Sequence, residues 1–430
     1  MKRILFIAPE SFPVMSSESI CNSKVAYVLA SAGYKVDVYT CDDRDTYPED
    51  NLIDAYLRNH KNLRIFPVRN SKVLISRSNG FKSNFKNLIF NLGILLKTGF
   101  WYNGISIPYS IYKSIEDNIR KEGDFDYDFM ITRATYCDLA AILLKRKYNI
   151  IWNANWNDPF PDKKFPEPYG RGYNTKLPFF ENRIFKAIQK MVDIHTFPSE
   201  RLRKYQLKCF PLVKTDKTMV IPHMAHSELL PIIQKPKLDS SVLQLVHCGS
   251  VGKPRDPGLF LEALSRVLIK RTFDRGQIHC SFVGRYDENL DQIINHFGLE
   301  DVVSLIPPMS YSDSLSYISQ CDVSLIIEAQ CEEGIYLPTK FVDAMQTHKP
   351  VFCVSPSNGT LRDMVSLYNV GYYSDNTSVI SIEKVIEQML LDFKNNNLPT
   401  VDNNVASDFF EDSIICLLYT SPSPRDGLLS

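Results

Sequence analysis

The feature that most constrains the fold of this chain is the alternation of short apolar segments with amphipathic segments along most of its 430 residues. The apolar segments, such as 4–8 and 278–283, have the length of buried strands, and the segments between them repeat apolar residues at helical spacing. Strands and helices that alternate in this way build βαβ units with parallel sheets. Because this length exceeds the size of one hydrophobic core, we expect two α/β domains.

A polar, proline-containing stretch divides the alternation into two parts. We predict an N-terminal α/β domain at 1–230, a linker at 231–241 and a C-terminal α/β domain at 242–395. Predicted strands of the C-terminal domain lie near 242–248, 278–283, 302–305, 322–327, 350–354 and 370–373. Predicted helices of the same domain lie near 257–271, 288–297, 310–320, 338–347 and 381–394. The N-terminal domain is less regular, with predicted strands at 4–8, 36–40, 128–132, 150–154 and 191–197.

Charge and cysteine usage exclude several classes of protein. The 49 basic and 49 acidic side chains cancel, so the chain lacks the basic excess of a nucleic-acid-binding protein. Ten cysteines are scattered without a Cys-x-x-Cys pair, as is typical of reduced thiols in a cytoplasmic protein. His223 and His226 have no third ligand nearby in the sequence, so we predict no metal site. The apolar run at 4–8 is too short for a signal peptide or a membrane span.

Two other parts of the chain, one in the N-terminal half and one at the C-terminal end, raise separate questions. The stretch 85–115 is rich in apolar and aromatic residues with interspersed lysines, and two interpretations stay open. It forms either a pair of core helices or an amphipathic surface that touches a membrane and meets a lipid-linked acceptor. Residues 396–415 are predicted to begin a segment that returns to the N-terminal domain. Residues 416–430 contain CLLYTSPSPRD, which resembles a translated sequencing adaptor, so we expect this tail to be non-native.

The loops after the first strand of each domain differ in their glycine content. The N-terminal domain continues into PESFPVMSSES, which lacks the glycines of a dinucleotide-binding loop and argues against a nicotinamide or flavin enzyme. The C-terminal domain continues into GSVGKPRDP at 249–257. Glycines let the backbone approach a ligand, and Lys253 and Arg255 carry charge suited to a diphosphate. The helix that follows Pro257 directs its positive end to the same place.

A second segment of the C-terminal domain, EEGIYLPTKFVDAM at 332–345, has the pattern of a loop followed by a helix. Pro338 suits the first position of the helix. Phe341, Val342 and Met345 share one face, which we expect to be buried, whereas Lys340 and Asp343 lie on the other. That second face is suited to phosphate and to a ribose diol, although a solvated helix face has the same pattern.

These segments resemble the retaining family 4-type glycosyltransferases, bacterial enzymes that use nucleotide sugars. Gly249 and Arg255 match the family's first motif, with Ser250 in place of its arginine. Glu333 and Asp343 stand where the family has two glutamates. The resemblance covers about residues 2–395. It implies the GT-B fold, in which two Rossmann-like domains with parallel sheets face each other across a cleft.

The resemblance also implies roles for individual residues. Arg255, assisted by Lys253, would neutralise the diphosphate leaving group, and Glu333 with the amide of Gly334 would contact the sugar hydroxyls. Asp343 would bind the ribose, and the loop at 307–309 would lie beside the base. The implied donor-binding set is Gly249, Ser250, Gly334, Pro338, Thr339, Lys340, Asp343, Pro308 and Met309. The implied acceptor-side set is Ser17, Asn155 and Asp158.

The expected function is therefore transfer of a sugar from a nucleotide-sugar co-substrate to a glycan or lipid-linked acceptor in surface polysaccharide synthesis. The family's chemistry implies retention and requires neither a metal nor another cofactor. The expected location is the cytoplasm, with peripheral contact at the inner face of the membrane as an open alternative. Two other functions also stay open: a GT-B-type sugar epimerase or phosphorylase, and a non-catalytic subunit with the same fold. Retention of both Arg255 and Asp343 argues against the non-catalytic subunit.

Overall fold

The computed structural model describes residues 2–11, 16–41, 51–68, 81–133, 137–226, 238–270, 273–410 and 413. These residues form two compact units. Unit 1 consists of residues from 1–166 and 170–221, and unit 2 of residues from 167–169 and 222–414. The expectation of two α/β domains is confirmed. The boundary between the units lies at 221/222, before the predicted end of the first domain at 230.

Unit 1 is built on a parallel sheet. Its described strands are β1 (Arg3–Ile7), β2 (Lys35–Cys41), β3 (Leu63–Val68), β4 (Phe129–Arg133), β5 (Ile151–Asn155), β6 (Ile194–Phe197) and β7 (Thr218–Val220). They are ordered β3-β2-β1-β4-β5-β6-β7, and all neighbouring pairs are parallel. The strand order reverses between β1 and β4, and in open α/β sheets the carboxyl ends of the strands at such a point form a crevice for ligands.

The helices of unit 1 cover this sheet. They are α1 (Ser17–Ser31), α2 (Asn51–Asn59), α3 (Phe81–Thr98), α4 (Ser106–Glu122), α5 (Asp138–Tyr148), α6 (Phe179–Met191) and α7 (Glu200–Cys209). The stretch 85–115 therefore forms most of two helices, α3 and α4. On α4, Ile111 and Ile115 are fully buried, whereas α3 exposes Leu88, Leu92 and Leu96 on one face.

Unit 2 repeats the same architecture with six parallel strands. They are β8 (Leu243–Cys248), β9 (Ile278–Val283), β10 (Val303–Ile306), β11 (Val323–Ile327), β12 (Val351–Ser355) and β13 (Gly371–Asp375), in the order β10-β9-β8-β11-β12-β13. Every predicted strand of this domain is present within one residue or two. The near-continuous apolar strands are buried on both faces, as parallel sheets between two helical layers require. Here the strand order reverses between β8 and β11.

The helices of unit 2 are α8 (Gly258–Ile269), α9 (Leu290–His296), α10 (Tyr311–Gln320), α11 (Thr339–Gln346), α12 (Thr360–Tyr368), α13 (Val379–Lys394) and α14 (Asn403–Ser407). The sequence pattern predicted all of them except α12 and α14. Pro338 is the N-cap of α11 and not its first helical residue, which corrects the prediction by one position. Phe341, Val342 and Met345 are buried as predicted.

The end of the described chain packs within unit 2. The ring of Phe409 lies against the rings of Phe341 and Tyr368 in one hydrophobic cluster. Its carbonyl accepts a hydrogen bond of 2.7 Å from the amide of Ala225. Up to Phe410, the segment predicted to begin a return to the N-terminal domain packs with the second unit, and the residues that would complete the return lie outside the described residues.

Two predicted segments lie outside the described residues, one in large part and one completely. They are the linker at 231–241 and the tail at 416–430. Among the helices that the structure describes, none has the length and apolarity needed to cross a membrane.

Candidate functional site

The site in unit 2 is built at the point where the strand order reverses. The loop after β8 at 249–255 and Glu328, which directly follows β11, meet at the carboxyl edge of the sheet. The loop continues the pairing of its strand, because the Gly249 amide donates to the Val283 carbonyl at 2.7 Å. Backbone hydrogen bonds therefore hold this loop at the position where open α/β sheets bind ligands.

Two glycines give this loop its shape. Gly249 and Gly252 have φ angles of +127° and +129°, a region that residues with a Cβ rarely adopt. A Cβ on Gly249 would lie 2.6 Å from Cε of Lys340. Gly249 is thus needed for close approach as well as for backbone conformation, because the Lys340 side chain lies directly over it.

Arg255 ends the loop with a side chain that is about one-third exposed. Its Nε lies 3.8 Å from Oε1 of Glu328, whose side chain is 10% exposed. Burial raises the pKa of the Glu328 carboxyl, while the charges of Arg255 and Lys340 act in the opposite direction. At this distance the ion pair is long, so a better-placed anion can compete with Glu328 for Arg255.

Lys340, in the first turn of α11, is the second cation of the site. Burial lowers the pKa of its ammonium, Arg255 lowers it further, and Glu328 and Asp343 act in the opposite direction. Arg255 and Lys340 therefore lie close to each other, and the carboxylates of Glu328 and Asp343 are near enough to affect the Lys340 ammonium. By contrast Lys253, the predicted helper, is exposed, and its backbone amide donates to Asp287 at 2.9 Å.

Asp343 lies one turn further along α11. Its Oδ1 accepts a hydrogen bond of 2.7 Å from the hydroxyl of Tyr311, the first residue of α10. Tyr311 therefore fixes the orientation of the carboxylate that the resemblance assigns to the ribose. The predicted base-side residues follow β10 at the same edge of the sheet, where Pro308 is exposed and Met309 is half-buried.

The structure corrects one predicted contact. The amide of Gly334 donates to the Asn358 carbonyl at 2.9 Å, and the Gly334 carbonyl accepts from the Thr360 amide at 2.7 Å. This amide is therefore engaged with the loop before α12, and the structure does not support its assignment to a sugar hydroxyl. Glu333 is half-buried beside it, whereas Ser250 is exposed in the glycine loop.

Two aromatic side chains in the site were missed by sequence reasoning. The guanidinium of Arg255 lies 5.8 Å from the ring centroid of Tyr169, which belongs to unit 2 although it is distant in sequence. The imidazole of His247, inside β8, is fully buried; burial and the charges of Lys340 and Arg255 lower its pKa, so it is neutral. No local motif marks either residue, because only the fold brings them to Arg255.

The predicted acceptor-side residues lie along the carboxyl edge of the sheet in unit 1. Asn155 ends β5, is buried and donates to Thr196 Oγ1 at 3.2 Å. Ser17 is the exposed first residue of α1, and Asp158 is exposed three residues beyond β5. The structure thus places all three at one edge of the sheet, without bringing their side chains into contact with one another in any hydrogen bond that it shows.

The same edge contains a charged group that the sequence pattern did not single out. Arg133 ends β4, is buried and donates from Nε to Asn22 Oδ1 at 2.6 Å. Burial lowers the pKa of its guanidinium, and the carboxylate of Glu18 acts in the opposite direction. Glu18 in turn accepts two hydrogen bonds of 2.8 Å from Asn157. Polar groups at this edge are therefore paired with one another.

Neither edge contains a metal-ligand cluster among the residues that the structure describes, since no three His, Cys, Asp or Glu side chains converge there. The chemical character of the unit 2 edge is that of an anion site with a neighbouring carboxylate, and that of the unit 1 edge is a set of hydrogen-bonded polar groups.

Comparison with known proteins agrees with this geometry. Residues 231–399 match the family described as Glycosyl transferases group 1. No curated protein matches the chain. Among solved structures, sucrose-phosphate synthase from Thermosynechococcus elongatus is 16% identical with a TM-score of 0.64, covering 97% of this chain and 98% of that one.

Two further solved structures are similar to this chain over all or nearly all of their length. Anabaena HepE in complex with UDP-glucose is 13% identical with a TM-score of 0.66, covering 98% of this chain and 100% of that one. WaaG, a glycosyltransferase involved in lipopolysaccharide biosynthesis, is 12% identical with a TM-score of 0.61, covering 96% and 99%. The chain therefore has the GT-B fold, and the described residues that match the glycosyl transferases group 1 model lie in unit 2.

Proposed function

We propose that this protein is a glycosyltransferase that moves a sugar from a nucleotide-sugar donor to a glycan or lipid-linked acceptor. The observation that carries the proposal is the pair of cations, Arg255 and Lys340, beside the glycine loop of the matched domain. A nucleotide sugar releases a nucleoside diphosphate, so the reaction needs fixed positive charge where negative charge develops. Arg255 and Lys340 provide that charge, and exposed Lys253 adds to it.

The remaining donor contacts follow from the same edge of the sheet. Asp343, oriented by Tyr311, accepts from the ribose diol, and the loop with Pro308 and Met309 lies beside the base. Glu333 contacts the sugar. Charged hydrogen bonds from side chains and a helix N-terminus do the work that a divalent ion does in other transferases, so the activity requires no metal. We assign no protein nucleophile, in keeping with the retaining mechanism that the resemblance implies.

Acceptor binding is assigned to unit 1. A glycan acceptor presents neutral hydroxyls, and the edge with Ser17, Asn155 and Asp158 offers amide, hydroxyl and carboxylate groups that bind hydroxyls. Helix α3 exposes Leu88, Leu92 and Leu96 on one face, which suits peripheral contact with a membrane. We therefore propose a cytoplasmic protein of bacterial surface polysaccharide synthesis that touches the inner face of the membrane. The involvement of WaaG in lipopolysaccharide biosynthesis supports this assignment.

A thermal-shift screen tests the proposed function directly. The protein is heated with UDP-, GDP- and ADP-sugars, with and without EDTA. A ligand that binds only the folded state stabilises it by about 2.7 kcal/mol at a hundredfold excess over its Kd. The apparent melting temperature therefore rises. We expect one nucleotide class to stabilise the protein whether or not EDTA is present. A complete lack of stabilisation by every nucleotide, or strict dependence on Mn²⁺ or Mg²⁺, would contradict the proposal.

A further inference from the structure

A small pocket lies in unit 2, one strand away from the cation pair, with a lining that is mainly apolar but includes several polar side chains. It lies between the carboxyl ends of β11 and β12, and its walls include Glu328, Ser355, Thr360 and Tyr169. Gly334 and Gly359, which are joined by a short parallel bridge, form another wall. The pocket has room for about one water-sized group. It is thus separate from the glycine loop, although Glu328 borders both.

Two buried hydroxyls in this pocket lack hydrogen-bond partners. Oγ of Ser355 and Oγ1 of Thr360 have none among the described residues, and the two residues are only 2% and 4% exposed. Native proteins pair nearly all buried polar groups, because an unpaired one has a desolvation cost of about 1–3 kcal/mol. Two such hydroxyls lining one small pocket indicate a polar group that enters it.

The start of α12 borders the same pocket, and the amide of its first residue, Thr360, is already bonded to the Gly334 carbonyl at 2.7 Å. Gly359 is the N-cap of this helix and has no side chain to accept from the first-turn amides. A Cβ at this position would lie 3.3 Å from the backbone of Gly334 and from the Pro356 carbonyl, so the backbone is closely packed there. The first residues of the helix therefore form a closely packed side of the pocket, next to Ser355.

The remaining walls define which chemical group fits. The Glu328 carboxylate repels an anion but accepts hydrogen bonds, and the nearby Arg255 and Lys340 disfavour a cation. The ring of Tyr169 limits the size of the pocket and packs edge-to-face on Tyr336, with a centroid distance of 5.5 Å. An apolar group would leave the two hydroxyls unpaired. A neutral hydroxyl, which both donates and accepts, satisfies every wall.

We propose that this pocket binds one hydroxyl or hydroxymethyl group of the transferred sugar and thereby determines which sugar the protein accepts. The inference rests on the proposed function, because a diphosphate bound by Arg255 places its sugar beside Glu328. A site built to hydrogen-bond a substrate hydroxyl discriminates strongly against an analogue that lacks it. Ser355 and Thr360 are then specificity-determining residues, and Tyr169 limits the size of the group.

The test compares donors that differ by a single group. Dissociation constants are measured by calorimetry for UDP, UDP-glucose and UDP-xylose, and for GDP, GDP-mannose and its 6-deoxy analogue GDP-rhamnose. The variants are Thr360→Val and Ser355→Ala, which remove one hydroxyl each, and Thr360→Ser, which retains it. Ser374→Ala is a matched control, because Ser374 Oγ is also buried and unpartnered but lies in β13, away from the pocket.

We expect the wild type to prefer one donor over its truncated analogue. Thr360→Val and Ser355→Ala should each reduce that preference about five- to tenfold, the value of one neutral hydrogen bond. Thr360→Ser and Ser374→Ala should retain it, and the affinity for the free nucleoside diphosphate should stay unchanged in all variants.

Three outcomes separate the hypotheses. A preference that the pocket variants leave unaltered shows that the pocket holds only water and overturns the inference alone. Equal binding of both members of each pair by the wild type also overturns it alone. A wild type that binds none of UDP, GDP and ADP overturns the proposed function, and the inference with it. Melting temperatures of all variants confirm that they are folded.

Discussion

In unit 1 the loop after β1 contains no glycine, whereas in unit 2 the loop after β8 contains Gly249 and Gly252. Both loops lie next to the point where the strand order of their sheet reverses. In unit 1, buried Arg133 is hydrogen-bonded to Asn22, and the Glu18 carboxylate is close enough to raise the pKa of its guanidinium. In unit 2, Arg255 and Lys340 lie near each other, and the ion pair of Arg255 with Glu328 is long, at 3.8 Å. The same sheet geometry therefore provides a polar, internally paired edge in one unit and an anion site in the other.

The difference shows that in this architecture the residues at the reversal point, and not the sheet, decide which ligand binds. A glycine loop lets a lysine from a neighbouring helix lie over the backbone, which concentrates positive charge. In unit 1, hydrogen-bonded side chains such as Arg133 and Asn22 occupy the corresponding edge instead. The difference between the two edges can be tested at individual residues.

The largest effect is expected from Arg255→Ala. Loss of a charged hydrogen bond of about 1.5–3 kcal/mol should weaken nucleoside diphosphate binding about 10- to 150-fold. Lys253→Ala should have a smaller effect, since that side chain is exposed. Calorimetry with UDP and GDP provides the measurement. Unchanged affinity in Arg255→Ala would show that Arg255 does not bind the diphosphate and that the two edges do not differ in this respect.

The second prediction concerns pH. Burial lowers the pKa of Lys340, and a bound diphosphate raises it, so binding takes up a proton once the pH exceeds the lowered pKa. Affinity for the diphosphate should then fall with rising pH, by up to about tenfold per pH unit. Lys340→Arg retains the charge throughout and should abolish this slope. Parallel pH profiles of the two proteins up to the ordinary lysine pKa of about 10.4 would contradict the assignment.

The third prediction concerns the shape of the loop. Gly249→Ala introduces a Cβ 2.6 Å from the Lys340 side chain and requires a φ of +127°. We expect it to lower the free energy of unfolding by about 1–3 kcal/mol. Gly276→Ala is the control, because a Cβ there meets nothing within 4 Å. Urea unfolding measures both variants, and equal stability would show that the loop adapts to a side chain.

A smaller effect is expected at the ribose. Tyr311→Phe removes the hydrogen bond that orients Asp343. Affinity for UDP should fall about three- to tenfold, as for loss of one oriented hydrogen bond, whereas affinity for a 2′,3′-dideoxy analogue should not change. If both ligands lose affinity equally, Tyr311 acts on the structure of the unit and not on the ribose contact.

The smallest effect is expected in unit 1. Asn155→Ala alters the edge assigned to the acceptor, so the Kd for UDP should stay within about twofold of the wild-type value, as for a site that shares no partner with the donor. A larger change would show that unit 1 contributes to donor binding and that the two edges are not chemically separate.

The elements of unit 2 were predicted well because its strands are continuous apolar runs buried on both faces. In unit 1, β3 was missed because Pro67 interrupts its pattern, and such a residue is tolerated there since β3 is an edge strand. The pattern named Lys253, Arg255 and Lys340 together, but only burial distinguishes enclosed Lys340 from exposed Lys253. Tyr169 was beyond prediction, since its contact with Arg255 depends on the tertiary fold.

The packing of Phe409 has a consequence for exchanging parts between related proteins. Gln346 binds both the amide and the carbonyl of His226, and the Phe409 carbonyl accepts from Ala225, so the two ends of the 222–410 segment are attached to each other and to α11. A chimera joined at 242 and 395, where the sequence pattern changes, would omit Phe409. Removing a buried phenylalanine ring costs about 3–5 kcal/mol. The transferable cassette therefore extends from 222 to 410, and its closely spaced ends suit it to insertion into another host chain.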